Sequence, residues 1–421
     1  MINYTQHTLS NGLTLIVNED HNTPLCTVNL LYNVGARDED PNHTGFAHLF
    51  EHLMFGGTKE VPDYDLVVDG ISGENNAFTN NDYTNYYLTF PAEHLETAFY
   101  LEADRMRLLD FSQKSLDVQR QVVTEEYHQR YENQPYGDLW MLLRPLCYKR
   151  HPYRWNTIGA TIEHVQQATI QEVEDFFFRY YRPDNCVLAV AGNVKDAEVL
   201  ELAEKYFGSI VRPDGVREHT ETMAFSRHYD QEEPQTEARR QQVHRPVPSD
   251  SLVMAFPMCA RNHPDYYAFD IISDILSNGS SSRMYKRLVK EQQIFVEVSA
   301  YISGETDCGL FIVNGKLHDG VTIAQAEGAV WKELRKLQEE LVSAHELTKV
   351  VNKFESTYLF SQYKAADRAL GLCYFYWLGK LDWINTEPER YKQVSAEHLQ
   401  QVARKTFRPV NCSVLEYLKQ E

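Results

Sequence analysis

The chain has 421 residues, 43% of them hydrophobic and 24% charged, which indicates a globular protein of two or more domains. Its formal net charge of −19 disfavours nucleic acid as a partner and favours cationic partners such as basic peptides, although acidic surfaces also serve solubility. No apolar run approaches the roughly 20 residues that a membrane span requires, so no span is expected.

The N-terminal segment alternates like a strand around a predicted turn at Asn11 and Gly12. It carries no basic segment followed by an apolar stretch, so we expect a cytoplasmic protein. Seven dispersed cysteines without a CxxC pair predict buried thiols, with neither a disulfide framework nor a thiolate zinc site.

The stretch HLFEH, from His48 to His52, carries the clearest chemical signal. On a helix, His48 and His52 share one face and can bind one zinc ion, while Glu51 lies where it can polarise a bound water. This order of residues is the inverted zincin signature. The alternative is an ordinary helix with two surface histidines, but the surrounding apolar residues favour a buried helix with one polar site.

A zinc hydrolase usually has a third protein ligand and one open position for water. Downstream, VVTEEY offers Glu125 and Glu126 on a segment with helical character. Adjacent helical residues point about 100° apart, so only one of them can face the metal. Spacing alone does not choose between them, and either could instead belong to a solvated acidic face.

An internal repeat organises the chain. Arg-Pro-x-Asn-Cys followed by an apolar strand occurs at Arg182 and again at Arg408. The repeat predicts two copies of one α/β unit: a zinc-binding repeat at 1–215, a linker with a crossing strand at 216–245, and a second repeat at 246–421. Where the first copy reads HLFEH, the second reads FDIISDIL and has lost the metal residues.

Over nearly its whole length the chain resembles the pitrilysin, insulinase and mitochondrial processing peptidase family of inverted-zincin peptidases. HLFEH, VVTEEYHQRYENQPYG, SGENNAFTNNDYTNYY and the duplication carry the resemblance. It implies an α/β (α+β) fold of two tandem homologous domains, each a largely antiparallel sheet packed with helices. It also implies that Glu126 is the third zinc ligand.

The resemblance gives the segment Asn75 to Thr79 a role as well. Asn76, Ala77 and Phe78 are expected on an edge strand beside the metal, where a substrate peptide adds as a further strand through backbone hydrogen bonds. The alternative is an ordinary edge strand followed by a turn.

The chain departs from the family pattern at two places. Gln119 stands where the family commonly has a second glutamate, seven residues before the zinc ligand, so the metal site lacks that supporting carboxylate. Glu125 and Gln119 are therefore retained only as residues that support the metal site or as alternative ligands. Val289 and Val296 stand where self-sufficient members carry an arginine and a tyrosine that contact the substrate and the developing oxyanion. Valine cannot donate a hydrogen bond there.

These observations predict a zinc endopeptidase with one Zn²⁺ per chain and Glu51 as general base. It would act on unfolded or short peptides in an enclosed chamber, as the zinc-bearing subunit of a heterodimer whose homologous partner supplies the arginine and tyrosine. The alternative is a non-catalytic scaffold subunit that retains the metal site.

Overall fold

The computed structural model describes residues 1–210, 223–225 and 229–420, which form two compact units. Each unit draws on both halves of the chain. The first comprises the described residues of Met1–His128, Trp155–His228 and Leu359–Asn385, and the second those of Gln129–Arg154, Tyr229–Tyr358 and Thr386–Glu421.

The described residues form eleven strands in two sheets. In chain order the strands are β1 (Thr5–Thr8), β2 (Thr14–Glu19), β3 (Leu25–Tyr32), β4 (Glu74–Thr79), β5 (Thr84–Pro91), β6 (Cys186–Gly192), β7 (Arg239–Arg245), β8 (Ser251–Pro257), β9 (Phe295–Ile302), β10 (Leu310–Leu317) and β11 (Ser413–Lys419).

The sheet of the first unit has the order β1-β2-β6-β3-β5-β4, and that of the second has the order β7-β11-β8-β10-β9. One pair in each sheet is parallel, β2 with β6 and β7 with β11, and the remaining pairs are antiparallel. The order of the second sheet corresponds to β2-β6-β3-β5-β4 of the first. Strands β8 and β10 are the equivalents of β3 and β5, because each begins as many residues after its equivalent as Arg408 lies after Arg182. The predicted fold class, two largely antiparallel sheets packed with helices, is confirmed.

Fourteen α-helices are described, and among them no helix combines the length and apolar character needed to cross a membrane. They are α1 (Phe46–Leu53), α2 (Tyr64–Gly70), α3 (Leu95–Arg107), α4 (Gln113–Tyr127), α5 (Leu139–Cys147), α6 (Ile162–Gln166), α7 (Ile170–Tyr180), α8 (Asp196–Tyr206), α9 (Tyr266–Ser277), α10 (Ile323–Glu339), α11 (Ala344–Ser361), α12 (Ala365–Trp377), α13 (Trp383–Lys392) and α14 (Ala396–Thr406).

Strand β6 explains why the Arg-Pro-x-Asn-Cys motif is followed by an uninterrupted apolar run. All seven of its residues are buried, because helices cover both faces of the central strands. At the edge of the same sheet, the predicted turn between β1 and β2 is present, and Gly12 adopts φ +88°, a conformation open to glycine at little cost.

The two compact units do not coincide with the two sequence repeats. Helix α5, from the first half, packs on β7, β8 and β11 in the second unit. Helix α12, from the second half, packs on β3 and β6 in the first unit. Strand β7 lies within the predicted linker of 216–245, whereas the predicted boundary at 215 and the linker residues 216–222 and 226–228 lie outside the described residues.

Candidate metal centre

Helix α1 presents His48 and His52 one turn apart, with ring centroids separated by 4.8 Å. His48 is buried and His52 is half-buried, while Phe46, Leu49, Phe50 and Leu53 fill the core side of the helix. The helix begins after Gly45, whose φ of +89° lets the chain turn sharply into it. The apolar residues therefore fix the helix, and the imidazoles are left on its open face.

Helix α4 brings the third candidate ligand. Ser112 caps its first turn by accepting a hydrogen bond from Ser115 N. Leu116, Val123 and Glu126 follow at heptad spacing, and this face of α4 packs against α1. Glu125, about 100° further round the helix, is exposed, so the structure brings Glu126 and not Glu125 to the histidines.

The three side chains converge on one point. Glu126 Oε2 lies 3.6 Å from His48 Nε2 and 3.2 Å from His52 Nε2. Ligands about 2.0–2.2 Å from a tetrahedral zinc ion are about 3.3–3.6 Å from one another, so the observed spacing fits that ion. Two imidazoles and one carboxylate are also a donor set that zinc hydrolases use.

Glu51 lies beside this triad on the same helix. Burial raises the pKa of its carboxyl, and the neighbouring Glu126 carboxylate acts in the same direction. Hydrogen bonds from the side chain and backbone of Thr79 oppose the shift, as does His52. Thr79 is the last residue of β4, and its hydroxyl group lies 3.5 Å from Ala47 O on the metal helix, so this end of the strand contacts α1.

Strand β4 is the last strand of its sheet and pairs only with β5 among the described strands. Asn76 lies on its exposed side, and the Ala77 N–H donates to Asn76 Oδ1 at 2.8 Å. Phe78 is half-buried and packs edge-to-face against Tyr83. The predicted substrate residues thus lie on an open edge that leads, through Thr79, to Glu51.

The residues at the departures from the family pattern are also placed. Gln119 lies on the same face of α4 as Glu126, two turns earlier, with its amide near Gly56. Val289 is half-buried in a π-helical turn. Val296 is 53% exposed in β9, where Phe295 pairs with Leu317 and Glu297 with Lys316, so that Val296 is the extra residue of a β-bulge.

The second repeat has other chemistry at the corresponding positions. Asp274 and Asn278, at the end of α9, follow His48 and His52 at the offset of the repeat. Asn278 Nδ2 donates to Asp274 Oδ1 at 2.7 Å, and the ammonium group of Lys353, on α11, donates to Asn278 Oδ1. A lysine cation is hydrogen-bonded there, whereas the first repeat gathers three metal donors.

A second group of possible donors, His151, Asp307 and Cys308, lies in the second unit. His151 Nδ1 accepts the backbone N–H of Tyr153 at 3.1 Å, so the ring proton is on Nε2 and faces Asp307 Oδ2 at 3.1 Å. In a metal-bound histidine, by contrast, one ring nitrogen binds the metal and the N–H of the other donates to an acceptor. This group is therefore a hydrogen-bond network, which Tyr229 extends by donating to Asp307 at 2.9 Å.

Sequence reasoning assigned no role to Glu39, and it placed Thr79 only in the substrate segment, without a contact to the metal helix. The carboxylate of Glu39 accepts the backbone N–H groups of Gly45 and Ala47, both at 2.9 Å, at the start of α1. Thr79 stands in a segment that the sequence did single out, so a contact with the metal helix could have been considered. Glu39 stands in a charged turn, and no local signal distinguishes a buried carboxylate from a solvated one there.

Two sequence models of one family match the chain. Insulinase (Peptidase family M16) matches residues 14–151, which contain the triad, and Peptidase M16 inactive domain matches residues 167–354. The second match includes the positions where Asp274 and Asn278 replace the histidines.

Named relatives agree with these matches. The zinc protease PqqE of Helicobacter pylori is 29% identical over 347 residues, covering 82% of this chain and 76% of its own. The β subunit of the mitochondrial-processing peptidase of Saccharomyces cerevisiae is 28% identical over 211 residues, covering 48% of this chain and 45% of its own.

Solved structures show the same fold. The crystal structure of a protease from Helicobacter pylori superimposes with a TM-score of 0.91 at 25% identity, covering 99% of this chain and 100% of that one. A Pseudomonas fluorescens structure described as a peptidase M16 inactive domain gives a TM-score of 0.86 at 16% identity, covering 100% and 99%. The chain belongs to the insulinase family of peptidases, M16, whose named relatives are zinc proteases.

Proposed function

We propose that this chain is a zinc-dependent endopeptidase that binds one Zn²⁺ through His48, His52 and Glu126. The observation that carries the proposal is the convergence of these three donor atoms within 4.8 Å of one another, at spacings that suit tetrahedral zinc. The names of the relatives support a peptidase in general.

Glu51 is the proposed general base. A zinc ion at this site would acidify a bound water and polarise the peptide carbonyl. Glu51 takes the proton of the attacking water and delivers it to the amine that leaves.

The proposed substrate is an unfolded or short peptide that adds to β4 as a further strand. The edge of β4 at Ala77 offers backbone groups that recognise extended chains with little regard to sequence. A folded protein presents few such segments, so unfolded peptides are preferred. The net charge of −19 supports a preference for basic peptides.

We further propose that full activity requires a homologous partner subunit. Val289 and Val296 occupy the positions of the expected arginine and tyrosine, and neither side chain can donate to an oxyanion. Loss of one such donor typically costs about two to three orders of magnitude in rate. A heterodimer in the cytoplasm, with the partner supplying both groups, would complete the site.

The test is zinc content and chelator-sensitive cleavage of a basic peptide, measured for the chain alone and with a co-encoded homologue that lacks HxxEH. We expect one zinc per chain, weak cleavage alone and strong cleavage in the complex. Full activity of the isolated chain would remove the need for a partner. Zinc binding without chelator-sensitive cleavage in either form would identify a scaffold subunit instead.

A further inference from the structure

Five residues that precede the metal helix, Gly35 to Glu39, form a loop that we call the connecting loop. On one side it is hydrogen-bonded to the turn between β4 and β5. The N–H groups of Ala36 and Arg37 donate to the carbonyl oxygens of Asn80 and Asn81 at 3.1 and 3.0 Å. Two backbone hydrogen bonds therefore join the connecting loop to this turn.

Arg37 and Asp82 strengthen this side of the connecting loop. Arg37 Nη1 lies 2.8 Å from Asp82 Oδ1, and the two side chains are only 1% and 6% exposed. Gly35 packs so closely that an added Cβ would lie 2.5 Å from Asp82 N. A buried ion pair and a close backbone contact leave the loop and the turn little freedom to move apart.

On its other side the connecting loop holds the metal helix. Glu39 is buried, and its two carboxylate oxygens each accept one N–H, from Gly45 and from Ala47, at 2.9 Å. Ala47 directly precedes His48. These N–H groups lie at the start of α1, where a helix has no internal acceptors for them. The loop is itself anchored by Trp155, whose Nε1 donates to Ala36 O at 2.9 Å.

We propose that the connecting loop is a positioning element that fixes the metal helix relative to the substrate strand. Glu39 fixes α1, and the Arg37–Asp82 pair fixes the turn after β4. This inference rests on the proposed function, because it assigns the peptide to β4 and the metal to α1. Hydrolysis requires the carbonyl of a peptide on β4 to meet the reacting groups on α1, and a displacement of about 1 Å can cost about 100-fold in rate.

Two variants test the contacts on the two sides of the connecting loop one at a time. Glu39→Gln keeps the shape but turns an NH2 group toward one backbone N–H, so α1 loses one of its two acceptors. Asp82→Asn keeps an oxygen for Arg37 but removes the charge. The matched control is Asp184→Asn, which removes the charge from another buried arginine–aspartate pair of the same unit, that with Arg182.

Four quantities are measured for each variant: kcat on a peptide, peptide affinity in a Glu51→Gln background, zinc affinity by competition, and amide hydrogen exchange. For Asp82→Asn we expect kcat to fall about 10- to 100-fold with zinc and peptide affinities within about two-fold of the parent. For Glu39→Gln we expect the same fall in kcat and, in addition, a fall of about 10-fold in zinc affinity. In both variants, exchange over residues 46–53 is faster, whereas Asp184→Asn leaves it at the parental rate.

The decisive result is Asp82→Asn. Parental kcat, or faster exchange confined to its own turn, would overturn the positioning role. The positioning role would also be overturned if kcat fell only as much as the fraction of folded protein fell, and if Asp184→Asn showed the same loss. If the parent shows no zinc-dependent hydrolysis either alone or with the partner subunit, the proposed function fails, but the exchange over residues 46–53 still tests the coupling.

Discussion

The thiol of Cys373, on helix α12, lies 3.4 Å from the carbonyl oxygen of Val187, on strand β6, although 186 residues separate them in the chain. It also lies 3.6 Å from Asn29 O on β3. Helix α12 comes from the second half of the sequence, and these contacts place it on the central strands of the first sheet.

The second unit shows the same relationship in reverse. Cys147, on helix α5, packs in one buried cluster with Leu415 and Tyr417 of β11, and burial raises the pKa of its thiol to about 12. Cys147 and Cys373 are equivalent positions of the two repeats, and so are Val187 and Ser413. The two repeats have therefore exchanged equivalent helices, so that each sheet is covered by a helix of the other repeat.

Neither half of the chain should fold alone, because each would lack the helix that covers its sheet. Fragments 1–228 and 229–421, expressed separately, would expose buried strands such as β3 and β6. We expect each fragment to aggregate, and the two co-expressed fragments to form a soluble 1:1 complex. Size-exclusion chromatography and circular dichroism measure this. A monomeric fragment with a cooperative unfolding transition would contradict the exchange as a folding requirement.

Replacement of Glu51 by Gln should separate metal binding from hydrolysis. The amide keeps the size of the side chain but cannot accept the proton of the attacking water. We expect one zinc per chain, as in the parent, and a kcat lower by about two to four orders of magnitude. Metal analysis and peptide cleavage in the same preparation check both parts. Parental turnover by Glu51→Gln would show that another group is the base.

Glu125 and Glu126 form a matched pair for testing the third ligand. Glu126 lies against both histidines, whereas the adjacent Glu125 is exposed. We expect Glu126→Gln to lower zinc affinity by at least about 100-fold, more than the loss of a neighbouring hydrogen-bond partner typically costs. Glu125→Gln should leave it within about two-fold. Equal effects of the two substitutions would count against Glu126 as a ligand.

Local patterns predicted much of the fold and site. The four-residue spacing of His48 and His52 fixes their common helix face, and the repeat at Arg182 and Arg408 predicted two similar sheets. The choice of Glu126 over Glu125 came from the family resemblance. The structure shows the physical difference, since Val123 and Glu126 share the face of α4 that packs on α1.

Long-range packing could not be predicted from these patterns. Helices α5 and α12 are apolar enough to cover a sheet, but their sequences do not specify which sheet. Arg37 and Glu39 stand in a turn rich in charged residues and Asp82 in a turn rich in asparagine, and such turns are usually solvated. Their burial depends on partners that are distant in the sequence, such as Ala224, whose carbonyl oxygen accepts from Arg37 Nη2 at 2.7 Å.

The open edge of β4 gives the sharpest test of how a peptide binds. Because the Ala77 N–H donates to Asn76 Oδ1, we infer that it points away from β5, toward an added strand. Ala77→Pro removes this donor, and an edge strand tolerates proline where its N–H faces outward. Loss of one backbone hydrogen bond should raise KM about 10-fold, with zinc content and melting temperature close to the parent. Ala77→Val keeps the N–H and serves as the control. A parental KM in Ala77→Pro would mean that substrates do not pair with this edge.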